Sequence, residues 1–378
     1  MICPNIFTDF CCSNAVELIV AVIALAHKEV VIVQTSLIGS ILSNLLLVMG
    51  MCFFFGGINR REQFFNTTVA QTAASLLALA VASVIVPTVF DLASNTETED
   101  VARLSRGTSI ILLVVYGAYL LFQLKTHSAV FAEESQKVAA KPLKHSFRGS
   151  HLKEGAVAQG FVSPAVFMGG HAIPSKTDNE NLRKLLTTPP KKAEAEEEED
   201  GGEEPQLHFI VALATLLIST IIIAFCAEFM VDGISAVTEG GTVSKEFVGL
   251  ILLPIVGNAA EHATAVTVAV KDKMDLAIGV AVGSSMQVAL FIIPLLIIIG
   301  WGMGVENMTL SFDLFQVAVL FVAVLLVNYL IADGKSHWLE GLLLICLYCI
   351  IAVCSWCKFS TLRFFLFSMT WISLLLWF

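Results

Sequence analysis

Charge is what this sequence has least of. Of 378 residues, 14% are Asp, Glu, Lys or Arg, while 56% are hydrophobic and the mean hydropathy is +0.81. Soluble domains carry about a quarter charged residues, so a water-soluble globule is excluded and a polytopic membrane protein is expected. Catalytic signatures are missing as well. There is no Gly-x-Ser-x-Gly, no His-Glu-x-x-His and no glycine loop of the phosphate-cradling kind, which leaves enzyme chemistry without a constellation to work through. No enzyme, no cofactor and no nucleic-acid partner is therefore expected. Basic residues are absent from Met1 to Ser13 and no cleavage pattern follows, so no signal peptide is read there. Cysteines such as Cys226 and Cys346 lie inside apolar runs and read as small hydrophobes.

The charge that does occur is concentrated. Residues 194 to 204 hold eight acids and no base, which leaves only −2 of the net −10 for the rest of the chain. Such a block reads as a solvated, disordered segment, or as a weak multivalent cation-binding or autoregulatory element. Apolar runs close to the ~20 residues that cross the hydrocarbon lie near 12–26, 35–57, 68–90, 108–124, 207–231, 246–270, 276–300, 309–331 and 338–356. The expected architecture is all-α, with about nine to ten transmembrane helices. It divides into a first repeat (1–124), a linker with the acidic run (125–206), a second repeat (207–356) and an atypical apolar tail (357–378).

Loops that retain Lys and Arg stay cytosolic. The stretch from Lys125 to Lys192 holds 11 of the 22 Lys and Arg residues, so the linker is placed in the cytosol. Alternation then puts Arg60-Arg61, Lys271-Asp272-Lys273 and Lys335 on the cytosolic side, with Glu97, Glu99 and Asp100 opposite. The sequon at Asn66 falls on the cytosolic side too and is expected to be unused.

One theme occurs twice. Asn14-Ala-Val-Glu17 reappears as Asn258-Ala-Ala-Glu261, and 23 residues separate Glu17 from Ser40 just as 23 separate Glu261 from Ser284. At a constant offset of 244 the Asn, Glu, Gly and Ser positions match without a gap. The two Glu-bearing helices are five spans apart, an odd number, so they cross in opposite senses and an ion site is expected near the midplane where the halves meet. A carboxylate inside hydrocarbon costs several kcal/mol and marks an ion or proton path. Asn and Glu three apart share a helix face, and Ser40, Ser43 and Asn44 form a second polar stripe matched by Ser284 and Gln287.

These are hard oxygen donors of the kind Ca2+ takes six to eight of. Two Glu balance one divalent ion; emptied of metal, two desolvated and mutually repelling carboxylates take up protons instead. The expected metal ligands are Glu17, Glu261, Asn14, Asn258, Ser40, Ser43, Ser284 and Gln287, and the proton-linked groups are Glu17, Glu261 and His262. Plainer roles stand beside these. Ser43, Asn44 or Ser285 taken alone fit helix contact equally well. His262 fits an interhelical hydrogen bond, and Glu228 with Asp232 fits either a cation-attracting mouth or a solvated helix end.

Longer stretches carry a resemblance. Asn14-Ala-Val-Glu-Leu-Ile-Val, Gly39-Ser-Ile-Leu-Ser-Asn-Leu-Leu-Leu-Val-Met-Gly, Gly257-Asn-Ala-Ala-Glu-His and the run from Lys271 to Leu290 resemble the two signature repeats of the vacuolar Ca2+/H+ exchangers, within the cation/Ca2+ exchanger superfamily. The resemblance implies an inverted-repeat exchanger of eleven helices in which the repeat glutamates, here Glu17 and Glu261, bind Ca2+ and protons in turn. It implies a multi-pass protein of the vacuolar membrane that uses the proton gradient to move Ca2+ out of the cytosol by alternating access. Na+/Ca2+ or Mn2+ exchange on the same fold, a nontransporting truncated protein and a homo-oligomer stay open. This chain departs from the family at both ends. The family's first two helices are absent, Ser13 stands where a Gly is expected, and the tail beyond about Lys358 has no counterpart. Without a partner helix beside Asn14 and Glu17, the chain as written is expected not to transport.

Overall fold

The computed structural model describes residues 14–94, 98–131, 135–138, 209–239, 243–305 and 307–375. The acidic run from Glu194 to Glu204 lies outside the described residues. The chain forms two units, Met1–Pro142 with Leu217–Phe378, and Leu143–Leu216; the site lies in the first.

Ten longer helices are described, α1 (Ala15–Ala26), α2 (Val30–Gly57), α3 (Thr67–Ser94), α4 (Thr98–Leu121), α5 (Phe209–Glu239), α6 (Lys245–Gly257), α7 (Ala259–Val270), α8 (Met274–Gly302), α9 (Leu314–Leu330) and α10 (Trp338–Leu375), together with one helical turn at Ser128–Phe131. Among the described residues six of these are long and apolar enough to cross a membrane, and seven spans result if the bent pair α6–α7 counts as one. The shorter apolar helices α1 and α9 complete the set.

Sequence and structure differ at three places. The apolar run 246–270 is expected as one helix but breaks at Asn258, with a bend of 55° between α6 and α7. Gly257 and Asn258 supply the interruption, and a broken helix survives at membrane depth only where protein or a cavity receives its freed backbone groups. The expected helix from 309 begins instead at Leu314, because Asp313 caps it, accepting from the Phe315 N–H at 3.0 Å and the Gln316 N–H at 3.4 Å. The residues before it fold back as a loop whose Met308, Leu310 and Phe312 are buried. The apolar tail from Phe359 continues α10 without a break to Leu375.

α2 and α8 form the centre, with 83% and 78% of their apolar windows buried against 18% to 39% for the surrounding spans α3, α4, α5 and α10. Close approach depends on small residues. A Cβ on Gly39 of α2 would run into the Leu250 carbonyl and Pro254 of α6, and one on Gly249 into Thr35.

The repeat is physical as well as textual. At the offset of 244, α1 and α7 begin and end on equivalent residues, and the turns after them place Lys28 and Asp272 alike at φ 62°. The halves are also inverted. At one end of the molecule the loop 58–66 pairs with the loop 332–337 through a two-stranded β1–β2 ladder (Gln63–Phe64 with Lys335–Ser336), and Gln63 Nε2 donates to Asp272 Oδ1 at 2.7 Å. The turn after α7 therefore lies at this end, together with Arg60, Lys271 and Lys335. The equivalent turn after α1 lies at the other end, where Glu29 pairs with Lys245 at 2.9 Å. Grouping of the basic loops, expected from alternation, is thus seen directly.

Candidate functional site

Asn14 and Asn258 stand at the N-cap positions of α1 and α7 with near-identical backbones, φ −92° and ψ 7° against φ −94° and ψ 11°. An Asn there, with Glu three residues on, resembles a capping box. Yet neither side chain caps its own helix. Both are diverted across the interface between the repeats. Asn14 Nδ2 donates to Gln287 Oε1 at 2.8 Å. Asn258 Nδ2 lies 3.1 Å from Ser40 Oγ, 3.2 Å from Ser43 Oγ and 3.3 Å from Asn44 Oδ1. Ser43 is the repeat counterpart of Gln287, so the two asparagines make the same crossing in opposite directions. Where the halves meet, Ser285 Oγ donates to the carbonyl of its own counterpart Ile41 at 3.5 Å. Repeat-related residues that touch mark the pseudo-twofold axis.

The glutamates flank this network. Glu17 and Glu261 occupy the first turns of α1 and α7, where the helix dipole favours an anion by about 0.3 to 1 kcal/mol, and by up to about 2 when partly buried. Ser40 Oγ donates to Glu17 Oε1 at 3.1 Å. Asn44 Nδ2 donates to Ser284 Oγ at 2.7 Å and reaches Glu261 Oε2 at 3.5 Å. All the expected amide and hydroxyl ligands are brought together, none more than 4% exposed. Among the described residues no three His, Cys, Asp or Glu cluster as a resident metal site would require. The donors are two carboxylates among amides and hydroxyls, a set suited to a hard cation passing through as substrate.

Two buried acceptors in this network, Asn14 Oδ1 and Glu17 Oε2, have no hydrogen-bond partner, and His262 Nε2 beside Glu261 has none either. Buried polar atoms are satisfied in the great majority of cases, so orphaned oxygens at one point are what a cation would pair with. Asn44 is the residue that sequence reasoning left out of the ligand set. Its counterpart at offset 244 is Val288, so the repeat gave it no support; its place in a polar stripe with Ser40 and Ser43 was the available signal. Glu228 is exposed, while Asp232 lies 3.6 Å from His27 at the Lys245 end.

A cavity of about 470 Å3 leads to the site. Glu17, Ser40 and Asn258 line its polar end, and Ser36, Met230 and Leu253 carry it toward the Lys245 end. The remainder of the wall comes from apolar residues of α1, α2, α5, α6 and α7, with Cys226 among them.

Comparison with known proteins places the chain beside transporters. The sodium/calcium exchanger protein family matches residues 11–125 and 211–357. The chain is similar to a vacuolar calcium ion transporter of Cryptococcus neoformans, at 43% identity over 375 residues covering 91% of this chain and 62% of that protein. It is similar to a Ca2+/H+ antiporter of Aphanothece halophytica at 38% identity over 341 residues, covering 90% of this chain and 78% of that one. Among solved structures, native YfkE superposes with a TM-score of 0.67 at 30% identity, over 92% of this chain and 82% of that chain.

Proposed function

We propose, because this chain belongs to the sodium/calcium exchanger protein family, that it exchanges Ca2+ for protons across the membrane of an acidic organelle of the vacuolar kind. The observation that carries the reading is the pair of repeat glutamates, each at a helix start, framed by crossed amides and hydroxyls and leaving buried oxygens unpaired. In that reading Glu17 and Glu261 balance the charge of one Ca2+; Asn14, Asn258, Ser40, Ser43, Ser284 and Gln287, now with Asn44, complete its oxygen shell. When the ion leaves, two carboxylates without a counter-charge in a desolvated site take up protons in its place. Ca2+ and protons thereby exclude one another, which is the coupling an antiporter needs. His262, with an unpartnered ring nitrogen one residue from Glu261, is the proposed relay for those protons.

Relatives named vacuolar calcium ion transporter and Ca2+/H+ antiporter support the substrate and the compartment. The basic loops gathered at one end support a cytosolic placement of that end. Mn2+ or Na+ coupling on the same oxygens is the second reading, supported by the hardness of the donor set alone. Radioactive Ca2+ uptake into sealed vesicles decides between the proposal and the opposite expectation that the chain as written does not transport: accumulation should require an imposed inside-acid pH gradient and collapse with a protonophore. Uptake that persists without the gradient but needs internal Na+ would replace proton coupling with sodium coupling.

A further inference from the structure

The turn that follows the Glu261 helix holds a strap. Residues 135–138, which follow α4 and the helical turn Ser128–Phe131, run across the 271–275 turn without regular structure. The Val138 N–H donates to Asp272 Oδ2 at 2.5 Å and the Ser135 N–H to Asp275 Oδ2 at 2.9 Å. Ser135 Oγ donates to the Phe64 carbonyl at 2.9 Å, and Arg60 Nε to the Val138 carbonyl at 3.0 Å. The other two carboxylate oxygens are taken as well. Gln63 Nε2 donates to Asp272 Oδ1 at 2.7 Å, and the Asn66 N–H to Asp275 Oδ1 at 2.5 Å. The Arg60 and Asp272 side chains are only 10% and 9% exposed. Asp272 sits at φ 62°, the left-handed position that follows the C-cap of α7, as Lys28 does after α1.

This knot joins parts that an alternating-access cycle would have to separate. The strap follows the last helix of the first repeat, whereas Asp272 and Asp275 follow the helix that carries Glu261 in the second. Their counterparts 244 residues earlier are Lys28 and Val31, which offer no side-chain acceptor. There the turn after α1 makes more exposed contacts, Glu29 with Lys245 and His27 with Asp232. The cavity at Glu17 extends toward the ion-pair end. The turn after α7 is thus held by two carboxylates with all four oxygens used, whereas the turn after α1 is held by contacts that water can reach, and the closure of that other end rests on the loop before α9, which Gln34, Thr88 and Ser105 tie to the first repeat.

We propose that residues 135–138 are a latch, positioned by Asp272 and Asp275, that closes the basic end of the exchanger and releases when the ion path opens there. The idea rests on the exchange reading above and adds the element that moves. Two carboxylates with all four oxygens engaged give a closed state with a definite geometry, and a bistable contact of this kind is what converts ion occupancy into a change of access.

Two measurements test it on the full chain. In lipid nanodiscs, amide hydrogen exchange over 135–138 should change at least tenfold between saturating Ca2+ and Ca2+-free acidic conditions; equal protection in both would overturn the latch. In a variant lacking the nine native cysteines, Ser135→Cys paired with Asp275→Cys should lose at least nine tenths of vesicle Ca2+ uptake on oxidation and regain it on reduction. Undiminished uptake by the oxidised pair would show the strap to be static and refute the proposal. Uptake by the reduced protein reports on the exchange reading separately, and if the pair is inactive even when reduced, the exchange measurement decides the latch by itself.

Discussion

Replacing Asn44 with Val would make the first repeat read like the second at its most central polar position. Asn44 donates to Ser284 Oγ at 2.7 Å and to Glu261 Oε2 at 3.5 Å, and accepts from Asn258 at 3.3 Å. Val keeps nearly the same volume and removes all three. Interhelical hydrogen bonds in membrane proteins average about 0.6 kcal/mol, with about 1.7 as an upper value. The longest of the three counts for little at its distance, so the change should cost about 1 to 3 kcal/mol, shared between folding and ion binding. If binding takes most of it, half-saturating Ca2+ rises by roughly 5- to 150-fold. The assay is the Ca2+ dependence of gradient-driven vesicle uptake for Asn44→Val, with melting in detergent measured alongside to apportion the loss. Val288→Asn is the converse control, since it adds an amide where the structure has none. A half-saturation within twofold of the parent for Asn44→Val, at unchanged melting temperature, would refute the account of Asn44 as part of the ion site.

Further expectations follow the same geometry. Glu17→Gln and Glu261→Gln should each reduce Ca2+ uptake below a tenth of the parent rate, a barrier change above about 1.4 kcal/mol; retention above that level removes the residue from the shared site. Gly39→Ala should force α2 from α6, because its methyl would meet the Leu250 carbonyl and Pro254, and should lower stability by about 1 to 3 kcal/mol, read as a fall in melting temperature. Asp313→Ala removes the cap of α9 and should cost about 0.5 to 2 kcal/mol, with uptake per folded molecule unchanged. Deleting residues 194 to 204 should alter the rate or Ca2+ dependence of uptake without abolishing it; complete loss in a protein that still reaches its membrane would make the acid run part of transport itself.

Much of this was legible in the sequence because the membrane imposes long apolar runs and because the repeat states its site twice. The 23-residue intervals led to Glu17, Ser40, Glu261 and Ser284, and the structure brings these together with Asn14, Asn258, Ser43 and Gln287. Legibility failed where the signal was single or local. The break at Asn258 lies inside a run that hydropathy reads as continuous, and only the Gly-Asn pair marks it. Asn44 has only the apolar Val288 as its counterpart, so internal symmetry argued against it. The strap could not be read at all, since its hydrogen bonds to the two aspartates come from the backbone N–H groups of Ser135 and Val138, which every residue but proline carries.

The π-helical turns in the two central rods carry a last consequence. Ser43–Val48 in α2 and Val288–Ile292 in α8 occupy equivalent places in the repeat. Such a turn accommodates one residue more than an α-helix would over the same rise. Deleting a single residue there would restore ordinary winding and leave the helix beyond it close to its present facing, whereas the same deletion in an α-helical stretch of either rod would swing everything beyond it by roughly 100° about the axis. A swing of that size in α2 would turn Phe53 and Cys52, now inside the bundle, away from it. The length of these two rods is therefore most readily adjusted at their π-turns, a dependence that a mutational survey confined to substitutions would pass over.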